Sequence, residues 1–296
     1  MTTQQDFVRV FNRIQVTNIS SWKDCYDNLA GNFVFDADNT PMCSLSLLVI
    51  TLVVYVVLSY SLNFIIGQRA HREKAPQNLY YTVLKYIGAL HNFNMMMIST
   101  VCFIGLIYEV ISAYLNDGFY AVLCDPEHKY NTGKIAFWMY LYHLSKFIEL
   151  GDTLLIILRR GPLRFVHTYH HVTTMAIAYF GCASVGTGQW IPIAANTFVH
   201  MLMYYYYVQI SFGRDVWWKI HLTDIQLTQF VIDAIAFTSW LICSYFIEYP
   251  RNNSCTGNEL GAWFGDVMVI SFFVLFHRIR TSNANYAKSK QELKKD

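Results

Sequence analysis

The chain has 296 residues, of which 54% are hydrophobic and 14% are charged, and its mean hydropathy is +0.27. Soluble domains carry about 25% charged residues, so this composition excludes a disordered chain and argues against a soluble globule. A net charge of +2 offers no basic surface to nucleic acid. The composition therefore predicts an integral membrane protein.

Seven stretches are apolar over the roughly 20 residues that a membrane-spanning helix requires. In chain order they are 45–66, 87–112, 136–158, 165–184, 190–210, 224–247 and 261–279. The sequence thus predicts an all-α integral membrane protein with three parts: a polar segment 1–44, a seven-helix membrane domain 45–280, and a tail 281–296.

Lysine and arginine are enriched in cytosolic loops of membrane proteins. If the amino terminus is lumenal, more than twice as many of these residues fall on the cytosolic side as on the lumenal side. The glycosylation sequons at Asn18 and Asn252 then both fall in the lumen. We therefore expect a lumenal amino terminus and a cytosolic carboxyl terminus.

The same orientation puts Cys124 and Cys255 in lumenal loops, after the second and sixth spans. The lumenal compartment permits disulfides. We expect these two residues to form one, with Cys25 and Cys43 as alternative partners.

The third span contains the ionisable run KFIELGDT, residues 146–153. Helical spacing puts Lys146, Glu149 and Thr153 on one face, with Asp152 at its edge. Ionisable side chains within a span are costly and usually mark a functional site. A purely structural Lys146–Glu149 ion pair is the alternative, but it leaves Asp152 unexplained.

Spans four to six continue this polar layer. They add His167, His170, His171, Asn196, His200, Tyr204, Gln226 and Gln229. Because successive spans alternate in direction, these residues and 146–153 lie at similar depths near the cytosolic boundary, with His200 somewhat deeper. The inward faces beyond the layer are apolar, which predicts a ligand with a polar head and a long hydrocarbon tail.

Two kinds of chemistry fit such a layer. A di-iron oxygenase such as a fatty-acid desaturase needs about eight histidines, and a single zinc needs a completed ligand shell; too few histidines reach the layer to favour either metal site. The other is nucleophilic or acid–base catalysis by imidazole, with Lys146, Glu149 and Asp152 orienting or tuning it. No cysteine lies at this depth, so histidine is the available acyl carrier.

The runs KFIELGDT, HTYHH, NTFVHMLMYYYY and TDIQLTQ resemble, in order and spacing, four signature motifs of the very-long-chain fatty-acid elongases, the ELO family. HNFNMMMIS in the second span resembles a fifth, and the resemblance covers about residues 45–280. It implies seven transmembrane helices, six of them ringed around an acyl-CoA tunnel. A non-catalytic lipid-binding or transport protein is the alternative.

The resemblance implies a 3-oxoacyl-CoA synthase of the endoplasmic reticulum membrane. This enzyme condenses long-chain acyl-CoA with malonyl-CoA, releasing CO₂ and CoA. Both thioesters are substrates, and no cofactor or metal is expected. The expected partners are the lipid bilayer and the reductases and dehydratase of the elongation cycle.

We expect His170 to carry the acyl group as an acyl-imidazole, since it is central in HTYHH. His167 and His171 would act on the malonyl carboxylate or the departing thiolate, and His200 would close the site. The expected catalytic group also contains Lys146, Glu149, Asp152 and Asn196. In related fungal and protist enzymes, histidine at the position of His167 accompanies saturated or monounsaturated substrates.

The expected substrate-binding residues are Thr153, Tyr204, Gln226 and Gln229 and, at the cytosolic mouth, Arg159, Arg160, Arg164 and Lys219. Guanidinium and ammonium groups match the phosphates of CoA. The alternative is that the four cations serve only as topology signals.

Overall fold

A computed structural model describes residues 21–37, 39–70, 79–184, 186–247 and 255–292. Within these ranges the chain forms α-helices and two short 3₁₀ helices, and no strand. The α-helices are α1 (Trp22–Gly31), α2 (Leu45–Ala70), α3 (Leu79–Cys124), α4 (Gly133–Leu158), α5 (Phe165–Ser184), α6 (Trp190–Ser211), α7 (Leu222–Phe246) and α8 (Glu259–Glu292). The fold is therefore all-α over the part of the chain that is described.

Each predicted span coincides with one of the helices α2–α8; the sixth runs one residue past the end of α7, and several helices extend beyond the apolar stretch. Helix α3 continues to Cys124 across a break at Gly118, where φ is +82°. Helix α8 continues past residue 280 to Glu292. Hydropathy marks only the apolar part of a helix, so polar end turns are not predicted from it. Helix α1 is missed for the same reason; its amino terminus is capped by the Ser21 side chain, which accepts the Asp24 N–H at 3.2 Å.

Among the described residues, four helical segments are long and apolar enough to cross a bilayer. They are Leu45–Ile66, Leu79–Cys124, Trp217–Phe246 and Glu259–Ser282. The chain is therefore a multi-pass membrane protein. Helices α4, α5 and α6 have 26, 20 and 22 residues, which suits a span, but they carry most of the polar layer. Their crossing of the membrane stays a prediction, and the sequons at Asn18 and Asn252 lie outside the described residues.

Six helices pack in an order that closes on itself. Helix α3 contacts α4, α4 contacts α5, α5 contacts α8, α8 contacts α7, α7 contacts α6, and α6 returns to α3. Helix α2 lies outside this ring and contacts α4 and α5, whereas α1 contacts α4. The ring gives the polar residues of several helices a common interior.

The two ends of the ring differ in chemistry. At one, here called the arginine end, Arg159, Arg160 and Arg164 lie in and beside the connection between α4 and α5. At the other, the disulfide end, Cys124 is bonded to Cys255, as the sequence predicts, with their Cα atoms 4.4 Å apart. The alternative partners Cys25 and Cys43 are free thiols.

The loop that follows Cys124 is organised around Asp125. The Asp125 carboxylate accepts the backbone N–H groups of Lys129, Tyr130 and Asn131 at 2.7–2.9 Å. Burial raises the pKa of this carboxyl, and the three N–H donors oppose that rise by favouring the carboxylate. The Thr256 N–H also donates to the Cys124 carbonyl at 2.8 Å. The disulfide end is thus fixed by hydrogen bonds as well as by the covalent link.

The half of the ring near the disulfide end is packed with apolar side chains. A buried cluster there joins α3, α4, α5 and α6 through residues that include Leu106, Val110, Met139, Ala178 and Ile193. This packing occupies the region where the resemblance implies a tunnel. The tunnel stays a prediction, and a long acyl chain can enter this half only if these side chains move.

Candidate active site

A cavity of about 480 Å³ lies inside the ring, in the half near the arginine end. Its polar lining consists of Asn92, Asp152, Arg159, Arg164, His167, His170, His171, Asn196, His200, Tyr204, Tyr207, Ser211, Thr223, Gln226 and Gln229. These residues come from α3, α4, α5, α6, α7 and the α4–α5 connection. The cavity therefore gathers nearly all of the polar layer that the helical spacing predicts.

Lys146 and Glu149 form a buried ion pair behind the cavity wall. Their relative exposures are 2% and 1%, and Lys146 Nζ donates to Glu149 Oε1 at 2.7 Å. Asn196 Oδ1 accepts from Lys146 Nζ and from the Tyr142 hydroxyl, both at 3.0 Å. The ion pair weighed as a structural alternative is thus present, although it also supports Asn196, which lines the cavity.

Glu149 connects this pair to a cavity histidine. His200 Nδ1 lies 3.4 Å from Glu149 Oε1. A carboxylate accepts the proton on Nδ1 of a neutral imidazole, which leaves Nε2 as the acceptor. Glu149 is therefore the acidic group that faces Nδ1 of His200, and the Nε2-accepting tautomer is the one that this placement favours.

Asp152 bridges three helices and lines the cavity. Its Oδ1 lies 2.7 Å from His91 Nε2 on α3, and its Oδ2 accepts the Tyr204 hydroxyl of α6 at 2.5 Å. These contacts explain the presence of Asp152, which the Lys146–Glu149 ion pair alone does not: its carboxylate links α4 to α3 and α6. Tyr204 is completely buried.

The three histidines of HTYHH lie close together on α5. The ring centroids of His167 and His171 are 4.5 Å apart, and those of His170 and His171 are 5.7 Å apart. The His170 ring lies 6.5 Å from the His200 ring and packs on Phe272 of α8, with centroids 5.1 Å apart. The structure thus brings together the four imidazoles that the sequence singles out.

Thr153 does not line the cavity but contacts a residue that does. Its hydroxyl lies 2.8 Å from His167 Nε2 and 2.7 Å from the Tyr55 hydroxyl. Gln226 and Gln229 line the cavity directly, and the Gln229 amide donates to Asp233 at 3.0 Å.

The four cations expected at the mouth separate into two pairs. Arg159 and Arg164 line the cavity, whereas Arg160 and Lys219 do not. Arg159 Nη2 also donates to the Leu84 carbonyl at 2.8 Å, which ties it to α3. Arg160 takes a positive φ of 57° at the end of α4.

Several residues of the site are absent from the sequence-based set. Tyr142 donates to the Asn196 side chain in the Lys146 cluster, His91 contacts Asp152, and Tyr55 contacts Thr153. His91 belongs to the HNFN run, so its polar neighbours on α3 were the available signal. Tyr55 and Tyr142 stand as isolated hydroxyls in apolar stretches, which gives them no pattern to detect.

The cavity lining contains imidazoles and hydroxyl groups but no free thiol. None of the free cysteines, Cys25, Cys43, Cys102, Cys182 and Cys243, lines the cavity. Within the described part of the chain, no three His, Cys, Asp or Glu side chains are grouped so that they could hold a metal ion. What the cavity offers is four imidazoles, one of them paired with a carboxylate, beside two guanidinium groups.

Comparison with known proteins gives one family and several curated relatives. The model of the family described as "ELO: GNS1/SUR4 family" matches residues 40–293. "Fatty acid elongase A" of Dictyostelium discoideum is 32% identical over 189 residues, which cover 63% of this chain and 67% of the relative. "Fatty acid elongase sre1" of the same organism is 27% identical over 83% of this chain and 89% of its own. "Long chain fatty acid elongase 2" of Caenorhabditis elegans is 29% identical over 75% and 78%, respectively.

Proposed function

We propose that this chain, which belongs to the ELO (GNS1/SUR4) family, is a fatty acid elongase that acts as a 3-oxoacyl-CoA synthase. It condenses a long-chain acyl-CoA with malonyl-CoA and releases CO₂ and CoA. The observation that carries the proposal is the cavity in which His167, His170, His171 and His200 meet. Imidazole chemistry suits acyl transfer.

The first half-reaction transfers the acyl group to His170. The neutral imidazole attacks the thioester carbonyl, an N–acyl bond forms and the C–S bond breaks. The imidazole proton passes to the departing sulfur, so the leaving group is the CoA thiol. His200, whose Nδ1 faces Glu149, is the nearby base that can carry this proton. The absence of a free cysteine from the cavity lining supports histidine as the carrier.

The second half-reaction forms the carbon–carbon bond. The carboxylate of malonyl-CoA leaves as CO₂, and the electron pair of the broken C–C bond becomes the enolate of the acetyl thioester. This enolate attacks the acyl-imidazole carbonyl, and the His170 nitrogen leaves and takes up one proton from the medium. Donors that line the cavity stabilise the enolate oxygen, which is where charge develops.

Lys146 and Glu149 support this chemistry from behind the cavity wall, and Asn196 supports it from within the lining. The ammonium group of Lys146, 2.7 Å from Glu149, keeps the carboxylate ionised so that it can accept the His200 proton. Asn196 lines the cavity and is held by Lys146. Asp152 and Tyr204 form a second hydrogen-bonded pair at the wall.

The arginine end supplies the binding site for the nucleotide part of the two thioesters. Arg159 and Arg164 line the cavity there, and guanidinium groups bind phosphate by bidentate hydrogen bonds. The acyl chain extends in the other direction, towards the apolar disulfide half. Gln226, Gln229 and Tyr204 contact the reacting thioester groups, and Thr153 contributes through His167.

The proposal includes a membrane placement. Helices α2–α8 cross the endoplasmic reticulum membrane seven times, with the arginine end cytosolic and the disulfide end lumenal. The four strongly apolar segments and the excess of basic residues at one end support this orientation. The reductases and dehydratase that complete elongation are separate partners, since the chain carries no dinucleotide-binding signature.

The decisive assay incubates the purified protein with acyl-CoA and labelled malonyl-CoA, without NADPH. Labelled 3-oxoacyl-CoA is the expected product, and mass spectrometry should find an acyl adduct on His170 when malonyl-CoA is omitted. His170→Ala should lower the rate at least 100-fold, whereas His277→Ala, at an exposed position that does not line the cavity, should leave it unchanged.

The same assay separates the alternatives. Binding of acyl-CoA with no labelled product would instead support a lipid carrier, and a desaturated product with bound iron would support an oxygenase. Condensation by His170→Ala at the wild-type rate would refute the role of His170.

A further inference from the structure

Helix α2 lies outside the helical ring, yet one of its side chains reaches the active site. The Tyr55 hydroxyl is 2.7 Å from Thr153 Oγ1, which is 2.8 Å from His167 Nε2. Tyr55 is 7% exposed and Thr153 is 1% exposed, so water does not compete for these hydrogen bonds. A buried chain of hydroxyls therefore connects α2 to a histidine that lines the cavity.

The direction of this chain determines the tautomer of His167. If the Tyr55 O–H donates to Thr153, the Thr153 O–H donates to His167 Nε2, and every proton in the chain has an acceptor. Nε2 is then unprotonated, and the proton of the neutral ring resides on Nδ1.

In the opposite direction, His167 Nε2–H donates to Thr153 and Thr153 donates to Tyr55. The Tyr55 proton then needs another acceptor. The neighbouring Thr168 hydroxyl does not accept it, because Thr168 Oγ1 makes no hydrogen bond among the described residues, so the Tyr55 donor is left unpaired. An unpaired buried donor costs about 1–3 kcal/mol, which favours the first direction.

We infer that Tyr55 and Thr153 are positioning residues that hold His167 as the Nδ1-protonated neutral tautomer, so that His167 donates a hydrogen bond into the cavity, to the oxygen of the bound thioester or of its enolate. This inference rests on the proposed function. It differs from the expectation from the sequence, in which His167 acts on the malonyl carboxylate or the departing thiolate.

His167 and His200 then have opposite roles. Glu149 faces Nδ1 of His200, which leaves Nε2 free to accept a proton. Thr153 faces Nε2 of His167, which leaves Nδ1 to donate one. The site thus contains two histidines with different functions: His200 is a proton acceptor and His167 is a hydrogen-bond donor. Glu149 determines the first role and Thr153 the second.

Thr153→Val and Thr153→Ser form the central test. Valine removes the hydroxyl at constant shape, whereas serine retains it. We expect Thr153→Val to lower kcat by roughly 10-fold to 100-fold with little change in the KM for malonyl-CoA, because loss of an oxyanion donor costs about 10²–10³ in kcat when it is complete. Thr153→Ser should retain most of the activity.

Tyr55→Phe should lower kcat by a smaller factor, since Thr153 can still donate. Tyr60→Phe, which changes an exposed tyrosine of the same helix, is the matched control and should behave as wild type. Equal kcat values for Thr153→Val and Thr153→Ser would overturn the inference.

A spectroscopic measurement separates this inference from the proposed function. ¹⁵N NMR of histidine-labelled protein in detergent, with His167 assigned by His167→Gln, reports the tautomer without any turnover. Wild type should show a protonated Nδ1 and an unprotonated Nε2, and Thr153→Val should lose this preference. Protonation on Nε2 in the wild type, or a tautomer that changes in Thr168→Val but not in Thr153→Val, would contradict the inference even if condensation is confirmed. The expected tautomer in a protein that makes no 3-oxoacyl product would instead refute the proposed function alone.

Discussion

Removal of the buried ammonium group of Lys146 tests how much stability the protein loses when Glu149 has no partner for its charge. Methionine has nearly the same length as lysine and no charge, so Lys146→Met leaves Glu149 as an uncompensated carboxylate at 1% exposure. It also removes one of the two donors to Asn196 Oδ1 and the cation 4.2 Å from the centroid of the Tyr142 ring. The perturbation therefore creates an unpaired buried charge with little change of volume.

The expected cost follows from the geometry. Two unit charges 2.7 Å apart attract by about 6 kcal/mol at an effective dielectric constant of about 20. Breaking a buried pair by removing one partner costs about 3–5 kcal/mol in measured cases, which is of the same order. At roughly 2 °C per kcal/mol for a large chain, the apparent Tm should fall by about 6–10 °C.

The assay is thermal unfolding in detergent, followed by intrinsic fluorescence. Lys134→Met is the matched control, because Lys134 pairs with Asp27 at 2.5 Å with 33% and 40% side-chain exposure. Exposed pairs contribute about 0–1 kcal/mol, so this control should lower the Tm by less than about 2 °C.

The double variant Lys146→Met/Glu149→Met removes both charges and should be more stable than Lys146→Met alone. A Tm for Lys146→Met close to that of Lys134→Met, or a double variant that loses the sum of the single effects, would refute the reasoning.

Three further outcomes are expected. Arg164→Gln should raise the KM for CoA thioesters roughly 10-fold to 150-fold, because a hydrogen bond to a charged group contributes about 1.5–3 kcal/mol. Arg214 is exposed and does not line the cavity, so Arg214→Gln should leave the KM unchanged; equal KM values for the two variants would refute phosphate binding by Arg164. Reduction of the Cys124–Cys255 bond, or replacement of both residues by serine, should cost about 2–5 kcal/mol, and an unchanged apparent Tm would contradict this. In a panel of acyl-CoAs of increasing length, the rate should rise with each methylene and then fall, with saturated and monounsaturated chains preferred; a preference for polyunsaturated chains would show that the expectation based on His167 is wrong.

The helices and the polar layer are predictable because both depend on short-range periodicity. Apolar stretches of about 20 residues mark seven helices, four of them long and apolar enough to span a membrane, and spacings of three and four put His167, His170 and His171 on one face. The alternating direction of successive helices then fixes depth, which is why His200 of α6 reaches the same cavity as α5. No three-dimensional information is needed for these inferences.

Other features depend on contacts that a single sequence does not contain. Helix α2 is apolar on all sides, so nothing in its pattern indicates that Tyr55 faces Thr153. The positive φ of Arg160 is a property of the loop, and it separates Arg160 from Arg159 and Arg164, which line the cavity. The packing of the disulfide half depends on how side chains of four helices interdigitate.

The disulfide at one end of the ring has a mechanical consequence. Cys124 and Cys255 clamp the end of α3 to the segment before α8, and the Thr256–Cys124 hydrogen bond reinforces the clamp. The other five cysteines are free thiols, so no second covalent clamp exists among them. A bundle that is riveted at one rim spreads most easily at the opposite rim, where leverage is greatest. If CoA thioesters bind at the arginine end as proposed, we expect the bulky product nucleotide to leave by outward tilting of helices about the riveted rim, and we expect reduction of the disulfide to let the bundle shear instead of tilt.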